Sequence, residues 1–270
     1  MTLVALTIAG SDPSGGAGIQ ADIKAFHQFG VYGEAVITLI TVQNTRSVTQ
    51  VEVLRPELVA AQIAAVVNDV PPAAAKLGAL GNVEVLEAVA GQARAFAFPL
   101  VVDPVMISKH GMPLMAEAAR AAMIELVIPL AHLLTPNLYE ASALTGMEVS
   151  SLETMRTAAL KLRDLGARNV LIKGGHLDGP ALDLLLGSDG VFHEFSTDRI
   201  DTPNTHGTGC TYSAAITAGL AKGVPLPVAV QRAKQYVTEA IRTNPRLGHG
   251  HGPLNHFASV ENPGENSGRP

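Results

Sequence analysis

Residues 3–29 read LVALTIAGSDPSGGAGIQADIKAFHQF. Leu3–Ala9 is apolar but for Thr7 and reads as a buried strand, as suits one covered on both faces. Gly10–Gly16 supplies a loop, and Ala17–Phe29 carries helical spacing that stops at Gly30. Strand, glycine loop and helix make the opening half of a βαβ unit, and the rhythm repeats down the chain. Further strands are predicted at Ala35–Val42, Val51–Leu54, Ala73–Leu77, Leu100–Asp103, Leu133–Thr135 and Val170–Lys173. Helices are predicted at Pro56–Asn68, Val83–Phe96, from near Asn137, and at Thr154–Leu165, Cys210–Ala221 and Pro227–Thr243. Leu182–Leu186 and Val191–Phe195, split by Gly187-Ser188-Asp189-Gly190, read as a hairpin. The pattern implies an α/β fold, a doubly wound and mostly parallel sheet with helices on both faces. No linker or internal repeat divides the chain, so 1–260 reads as one domain. Glu261–Pro270 has nothing to bury and is expected to be a disordered tail.

Composition narrows the function classes. Of the 270 residues, 47% are hydrophobic, 16% are charged and 4% are aromatic, which suits buried strands under alanine-rich helices. With a net charge of −5 and no basic run, the chain has no footprint for nucleic acid. A lone cysteine excludes an intrachain disulfide framework and fits a reducing, cytoplasmic setting. The N-terminus lacks a positive n-region and reads as a first strand, not a signal peptide. No segment stays apolar for the ~18–20 residues a membrane span requires.

Chemistry-bearing residues fall at predicted strand ends: Gly10, Gln43, Asp103, Asn137 and Lys173. Ligands of open α/β sheets bind outside those carboxyl ends. A second glycine turn, His206-Gly207-Thr208-Gly209-Cys210-Thr211, feeds another predicted helix. Its backbone N–H groups and the helix dipole would suit an anion, most naturally a phosphate. The same field would favour the thiolate of Cys210; the plainer reading is a buried cysteine in a tight turn. The Gly10–Gly18 loop matches neither G-x-G-x-x-G nor a Walker A loop, but its glycines would let a flat ligand approach the backbone. Asp22 lies early in the following helix, either solvated or turned toward the strand ends. The Gln43 amide offers a donor and an acceptor, as an aminopyrimidine edge requires. Asn137 and Glu140 form a capping-box pattern; alternatively Glu140 and Asp103 serve a hydrated Mg2+. Lys173 could neutralise phosphate, or close a surface turn with Gly174-Gly175-His176. Gly248–Phe257 carries three histidines without a thiol or carboxylate at ligand spacing, so an ordered loop is favoured over a zinc site.

Taken in order, GSDPSGGAGIQAD (10–22), Gln43-Asn44-Thr45, Asp103-Pro104-Val105-Met106, Thr135-Pro136-Asn137, Lys173-Gly-Gly-His176-Leu177, the 206–211 turn and the 248–257 loop resemble the hydroxymethylpyrimidine/phosphomethylpyrimidine kinases. The resemblance spans residues 3 to about 257. It implies a ribokinase-like three-layer α/β/α sandwich, commonly a homodimer. It also implies ATP-dependent phosphorylation of 4-amino-5-hydroxymethyl-2-methylpyrimidine and then of its monophosphate, for thiamine biosynthesis. Gly10, Asp22, Gln43 and Val105 would then surround the small-molecule pyrimidine. Lys173, Asn137 and the Gly207–Thr208–Gly209–Cys210 loop would hold ATP, and Asp103 and Glu140 would serve Mg2+. Sugar kinases of the superfamily carry an aspartate base where this chain has Cys210. Vitamin B6 kinases share the cysteine and stand as the alternative, beside a non-catalytic pyrimidine-binding regulator. Ala79 replaces a usual Met and His110 a usual small residue, and neither position is assigned chemistry. The expected mechanism has Cys210, lowered by the helix N-terminus, take the acceptor's proton, so that Cys210→Ala would slow the first step more than the second. Ile107–Leu114 is read as a flap over the ring.

Overall fold

The computed structural model describes residues 2–109, 111–175 and 179–260. The tail Glu261–Pro270, His110 and the His176-Leu177 part of the lysine motif lie outside the described residues.

Nine strands form one sheet in the order β3-β2-β1-β4-β5-β6-β7-β8-β9. They are β1 (Val4–Ser11), β2 (Tyr32–Gln43), β3 (Val48–Val53), β4 (Ala74–Leu77), β5 (Leu100–Val102), β6 (Leu133–Leu134), β7 (Val170–Gly174), β8 (Ala181–Leu186) and β9 (Phe192–Thr197). The six from β1 to β7 other than β3 run parallel; β3, β8 and β9 join antiparallel at the two edges. After β1 the chain builds outward to β3, then returns to place β4 on the other side of β1. This reversal leaves a crevice at the carboxyl ends of β1 and β4, where α/β sheets take ligands.

Helices cover both faces. On one side α1 (Gly18–Gln28), α7 (Thr208–Ala221) and α8 (Leu226–Arg242) bury Phe26, Ala215 and Tyr236 against Ala5, Val101 and Leu171. On the other, α2 (Pro56–Asp69), α3 (Val83–Ala93), α4 (Glu117–Ala122), α5 (Leu138–Thr145) and α6 (Leu152–Asp164) pack on Leu6, Ile8, Leu77 and Ile172. Side chains of one strand alternate between these two cores, as the pleat dictates. That is why β1 reads as mostly apolar sequence on both of its faces.

The predicted boundaries hold to within a few residues. No helix is predicted between β5 and β6, where α4 stands and continues through a π turn at Met123–Val127 and a 3-10 turn at Ile128–Leu130. Its short alanine-rich run has little periodicity, and Pro129 breaks the pattern. The capping box at α5 is present as read: Asn137 Oδ1 accepts from the Glu140 amide at 2.9 Å, and the Asn137 amide donates to Glu140 Oε2 at 2.8 Å. This fixes where β6 ends and aims the first turn of α5 at the crevice.

Candidate active site

A cleft of about 810 Å³ runs along the carboxyl ends of the central strands. Its lining brings together Gly10, Gln43, Asp103, Val105, Asn137, Glu140, Lys173 and Gly207–Cys210, residues spread across the sequence. Among the sequence-predicted residues, only Asp22 is absent from that lining.

The wall at the head of α7 is built by close backbone approach. Gly207 has φ +80°, and a Cβ there would stand 1.7 Å from the Gly16 carbonyl oxygen. Only glycine lets the two glycine loops meet. The Thr208 hydroxyl turns back to the Thr205 carbonyl at 2.7 Å. The amides of Gly209 and Cys210, in the first turn, have no intrahelical acceptor and point to the cleft end of α7. This is an anion cradle with the dipole behind it.

Lys173 stands over the cradle. Its Nζ is 2.7 Å from Asp103 Oδ1, and it lies 3.3 Å from where a Gly209 side chain would begin. Burial alone would lower the Lys173 pKa; Asp103 and then Glu140 reverse this and hold it above the usual lysine value. Burial would likewise raise Asp103, but Lys173 and Lys76 outweigh it and keep the carboxylate ionised. Thr135 and Ser213 also donate to Asp103. Glu140 is pushed up to about 7, first by burial and then by the Asp103 charge, against the pull of Lys173. Two carboxylates thus share one lysine. No three His, Cys, Asp or Glu side chains converge on a metal position among the described residues. A Mg2+ ion that keeps most of its waters fits this pair, because it asks for few protein carboxylates. A Gly209→Ala change would crowd the space between cradle and ammonium. The expected result is a KM for ATP raised about tenfold, ~1.4 kcal/mol, with thermal stability unchanged; initial-rate kinetics and a melt check it.

Asp22 is displaced from its expected role. Its side chain is 0% exposed, neither solvated nor in the cleft. Lys76 Nζ reaches Oδ1 at 2.7 Å and Oδ2 at 2.8 Å, and the Thr7 hydroxyl donates to Oδ2 at 2.7 Å. The pair lies beneath the cleft floor. Burial would strip the Lys76 proton, yet the Asp22 carboxylate holds the ammonium well above the usual lysine range.

Cys210 reaches the cleft, but its electrostatics differ from the expectation. Burial pushes the thiol up to about 11; Lys76 pulls it down, Asp22 and Asp103 push it up, and the Gly18 amide bonds the sulfur. Desolvation and two carboxylates outweigh the helix end, so the thiol keeps its proton at neutral pH.

Gln43 faces the cleft between two neighbours. Its amide nitrogen, as placed, is 3.1 Å from His206 Nε2, and its oxygen is 3.2 Å from Thr41 Oγ1. His206 Nε2 is also 2.7 Å from Asp12 Oδ2. Burial would raise Asp12, but hydrogen bonds from His206 and Ser14 hold it below the ordinary carboxylate value.

Sequence reasoning overlooked Asp12, His206 and Lys76 as individuals. Lys76 did carry a signal, since a lysine inside a run that reads as a buried strand needs a buried partner. Ala79, assigned no chemistry, also lines the cleft, so its small size bears on the acceptor end. Ile107, Ser108, Lys109 and Leu114 of the expected flap line the cleft too, with Ser108 accepting at its hydroxyl from the Met112 amide. The 248–257 histidines diverge: the His251 ring meets the Pro203 carbonyl and the His256 ring meets the Thr211 hydroxyl.

A family model described as phosphomethylpyrimidine kinase matches residues 12–255. The chain is 50% identical over 261 residues to the hydroxymethylpyrimidine/phosphomethylpyrimidine kinase of Rhizobium meliloti (strain 1021), covering 95% of this chain and 98% of that one. It is 48% identical over 259 residues to the thiamine biosynthesis bifunctional protein ThiED of Geobacter sulfurreducens, covering 95% of this chain and 52% of that protein, about half its length. Among solved structures, an ADP complex of Bacillus subtilis pyridoxal kinase superposes with a TM-score of 0.86 at 39% identity, over 96% of this chain and 98% of that one.

Proposed function

The chain belongs to the phosphomethylpyrimidine kinase family, and from that premise we propose how its cleft transfers phosphate from ATP to 4-amino-5-hydroxymethyl-2-methylpyrimidine and then to the monophosphate. It is a phosphotransferase of thiamine biosynthesis on a ribokinase-like fold. The observation that carries the site reading is the stacking of Lys173 and Asp103 over Gly209, at the head of α7, in the same cleft as Gln43 and Cys210. A cradle of amides plus a charged lysine is what a transferring phosphoryl group needs, because such reactions depend mostly on positioning and charge stabilisation.

In this reading the Gly207–Cys210 amides and Lys173 hold the γ-phosphate, and Asn137 borders the nucleotide. Gly10, Gln43 and Val105 surround the ring. Asp22 acts from below, through Lys76, without touching the ligand. Mg2+, carried through its waters by Asp103 and Glu140, would supply positive charge to the phosphates. The incoming oxygen forms its bond to phosphorus as the bond to ADP breaks, and in the first step the hydroxyl proton passes late to an oxygen of the transferred phosphoryl group. A loose transition state makes little demand for a strong base, and a protonated Cys210 thiol is consistent with that. The thiol then packs and orients the hydroxymethyl group. Cys210→Ala is therefore expected to lower turnover of both steps alike, by about tenfold; a ~10²-fold loss confined to the first step would return the thiol to the role of base.

The testing experiment is ATP consumption dependent on hydroxymethylpyrimidine, with pyridoxal run beside it. Turnover of pyridoxal alone would favour the vitamin B6 reading; binding without ATP consumption would favour a regulator. We place the whole of residues 1–260 in one kinase domain, acting in the cytoplasm as a homodimer. No helix among the described residues is long and apolar enough to cross a membrane, and the exposed Ile40 and Val42 on β2 support a partner surface.

A further inference from the structure

The surroundings of Gln43 fix more than its position. Asp12 Oδ1 accepts from the Ser14 amide at 2.9 Å and the Ser14 hydroxyl at 2.7 Å, and Oδ2 accepts from the Ala17 amide at 2.9 Å. A carboxyl group facing these donors is ionised and can only accept. His206 Nε2, 2.7 Å from Oδ2, must therefore carry a proton. It cannot also accept from an amide nitrogen 3.1 Å away; two N–H groups would face each other. The other end of the amide has a matching conflict. The Thr41 hydroxyl has one proton, and the Ser11 carbonyl lies 3.0 Å away to take it. Thr41 Oγ1 then presents a lone pair toward Gln43 Oε1 at 3.2 Å. A half turn of the amide exchanges two atoms of nearly equal size and removes both conflicts at once.

We infer that His206, with its Nε2–H fixed by Asp12, sets the Gln43 amide with its carbonyl toward His206 and its NH2 toward Thr41, and so dictates the hydrogen-bond polarity of the ring the cleft accepts. Each end of the amide keeps one free valence. The cleft thus offers an acceptor on the His206 side and a donor on the Thr41 side. A ring edge must answer with a donor and an adjacent acceptor in that order. A 4-aminopyrimidine does so through its exocyclic amine and neighbouring ring nitrogen. The 4-oxo ring carries a carbonyl and a ring N–H at the same places, with the polarity inverted. His206 and Asp12 are positioning residues here: they act on the ligand through Gln43. The inference rests on the proposed reading of the acceptor and adds the rule by which it is chosen.

The test compares kcat/KM for hydroxymethylpyrimidine with that for its 4-oxo analogue. The unmodified protein should favour the amino ring by about a hundredfold, since the inverted edge leaves two polar groups opposed. His206→Leu frees the amide to turn and should cut this ratio below about tenfold, with the KM for ATP unchanged. His206→Gln, which keeps an N–H donor toward Asp12, should restore most of it. Thr41→Val removes the opposite anchor without touching α7 and should also narrow the ratio, so the test survives if His206→Leu fails to fold. An undiminished ratio in folded His206→Leu or Thr41→Val overturns this inference alone. Absence of turnover with either ring in the unmodified protein overturns the functional reading and this inference with it.

Discussion

Lys173→Met is expected to reduce kcat for both phosphorylations by about 10²–10³-fold at saturating ATP, ~2.7–4 kcal/mol of transition-state stabilisation. The magnitude follows from place and partners. The ammonium is partly buried, 2.7 Å from Asp103 and directly above the head of α7. In a desolvated cleft, a fixed charge aimed at a developing phosphoryl anion acts far more strongly than it would in water. Neighbouring carboxylates hold the lysine above its ordinary pKa, so it stays charged across the working pH range and its effect should show little pH dependence near neutrality. Methionine keeps most of the unbranched stem and removes the charge together with the ammonium's three N–H donors. The same change removes the lysine charge that opposes burial at Glu140 and Asp103, so both carboxyl pKa values rise and Glu140 binds its proton more readily. Both steps should fall together because they share the nucleotide. Steady-state kinetics with the pyrimidine and with its monophosphate check this, and unchanged turnover at saturating ATP would remove Lys173 from the site.

The fold was legible because its strands are buried on both faces, and such strands announce themselves as short apolar runs ending in polar residues. β1, β5 and β7 are of this kind, and the residues just past them are the ones the cleft gathers. Periodicity could not have told how deep a side chain lies behind the strand ends. Asp22 and Gln43 both belong to motifs of the family resemblance. One sits under the floor on Lys76 and the other faces the cleft, a distinction made by the packing of α1 over β1 and β2, which turns Asp22 toward Lys76 on β4. The thiol of Cys210 shows a second limit. The helix end beside it is readable in sequence, but the burial and the two carboxylates that outweigh it come from β5 and α1, far away in the chain. The polarity of Gln43 is a third. It depends on Asp12 and His206, nearly two hundred residues apart and joined only by the folded loops.

Lys76→Met should destabilise the protein by about 3–5 kcal/mol, the usual consequence of removing one member of a buried ion pair. Lys76 and Asp22 are each 0% exposed at the side chain, so water cannot replace the lost partner. Only the Thr7 hydroxyl remains on the carboxylate, and one hydrogen bond does not offset burying a charge. The double change Lys76→Met with Asp22→Leu should recover much of the loss, since an apolar pair leaves no orphaned charge. The pH dependence gives an independent check. In the unmodified protein the lysine is raised above its ordinary value, so its contribution is complete below the unfolded lysine pKa and is lost only as pH rises through the folded one. Burial also holds Asp22 above the ordinary carboxylate value, even against the pull of Lys76, so the carboxylate half of the pair favours the folded state more as pH falls. In Lys76→Met the lone, buried Asp22 binds its proton more tightly folded than unfolded, and the deficit should shrink as pH falls from about 7 toward about 5. Urea denaturation at those two pH values measures both effects. A deficit that is small, or that does not narrow on acidification, would mean that Asp22 is already protonated in the unmodified protein. Lys76 would then not be anchoring a charge beneath the cleft, and its pull on Asp103 and on the Cys210 thiol would be the electrostatic effects left to it there.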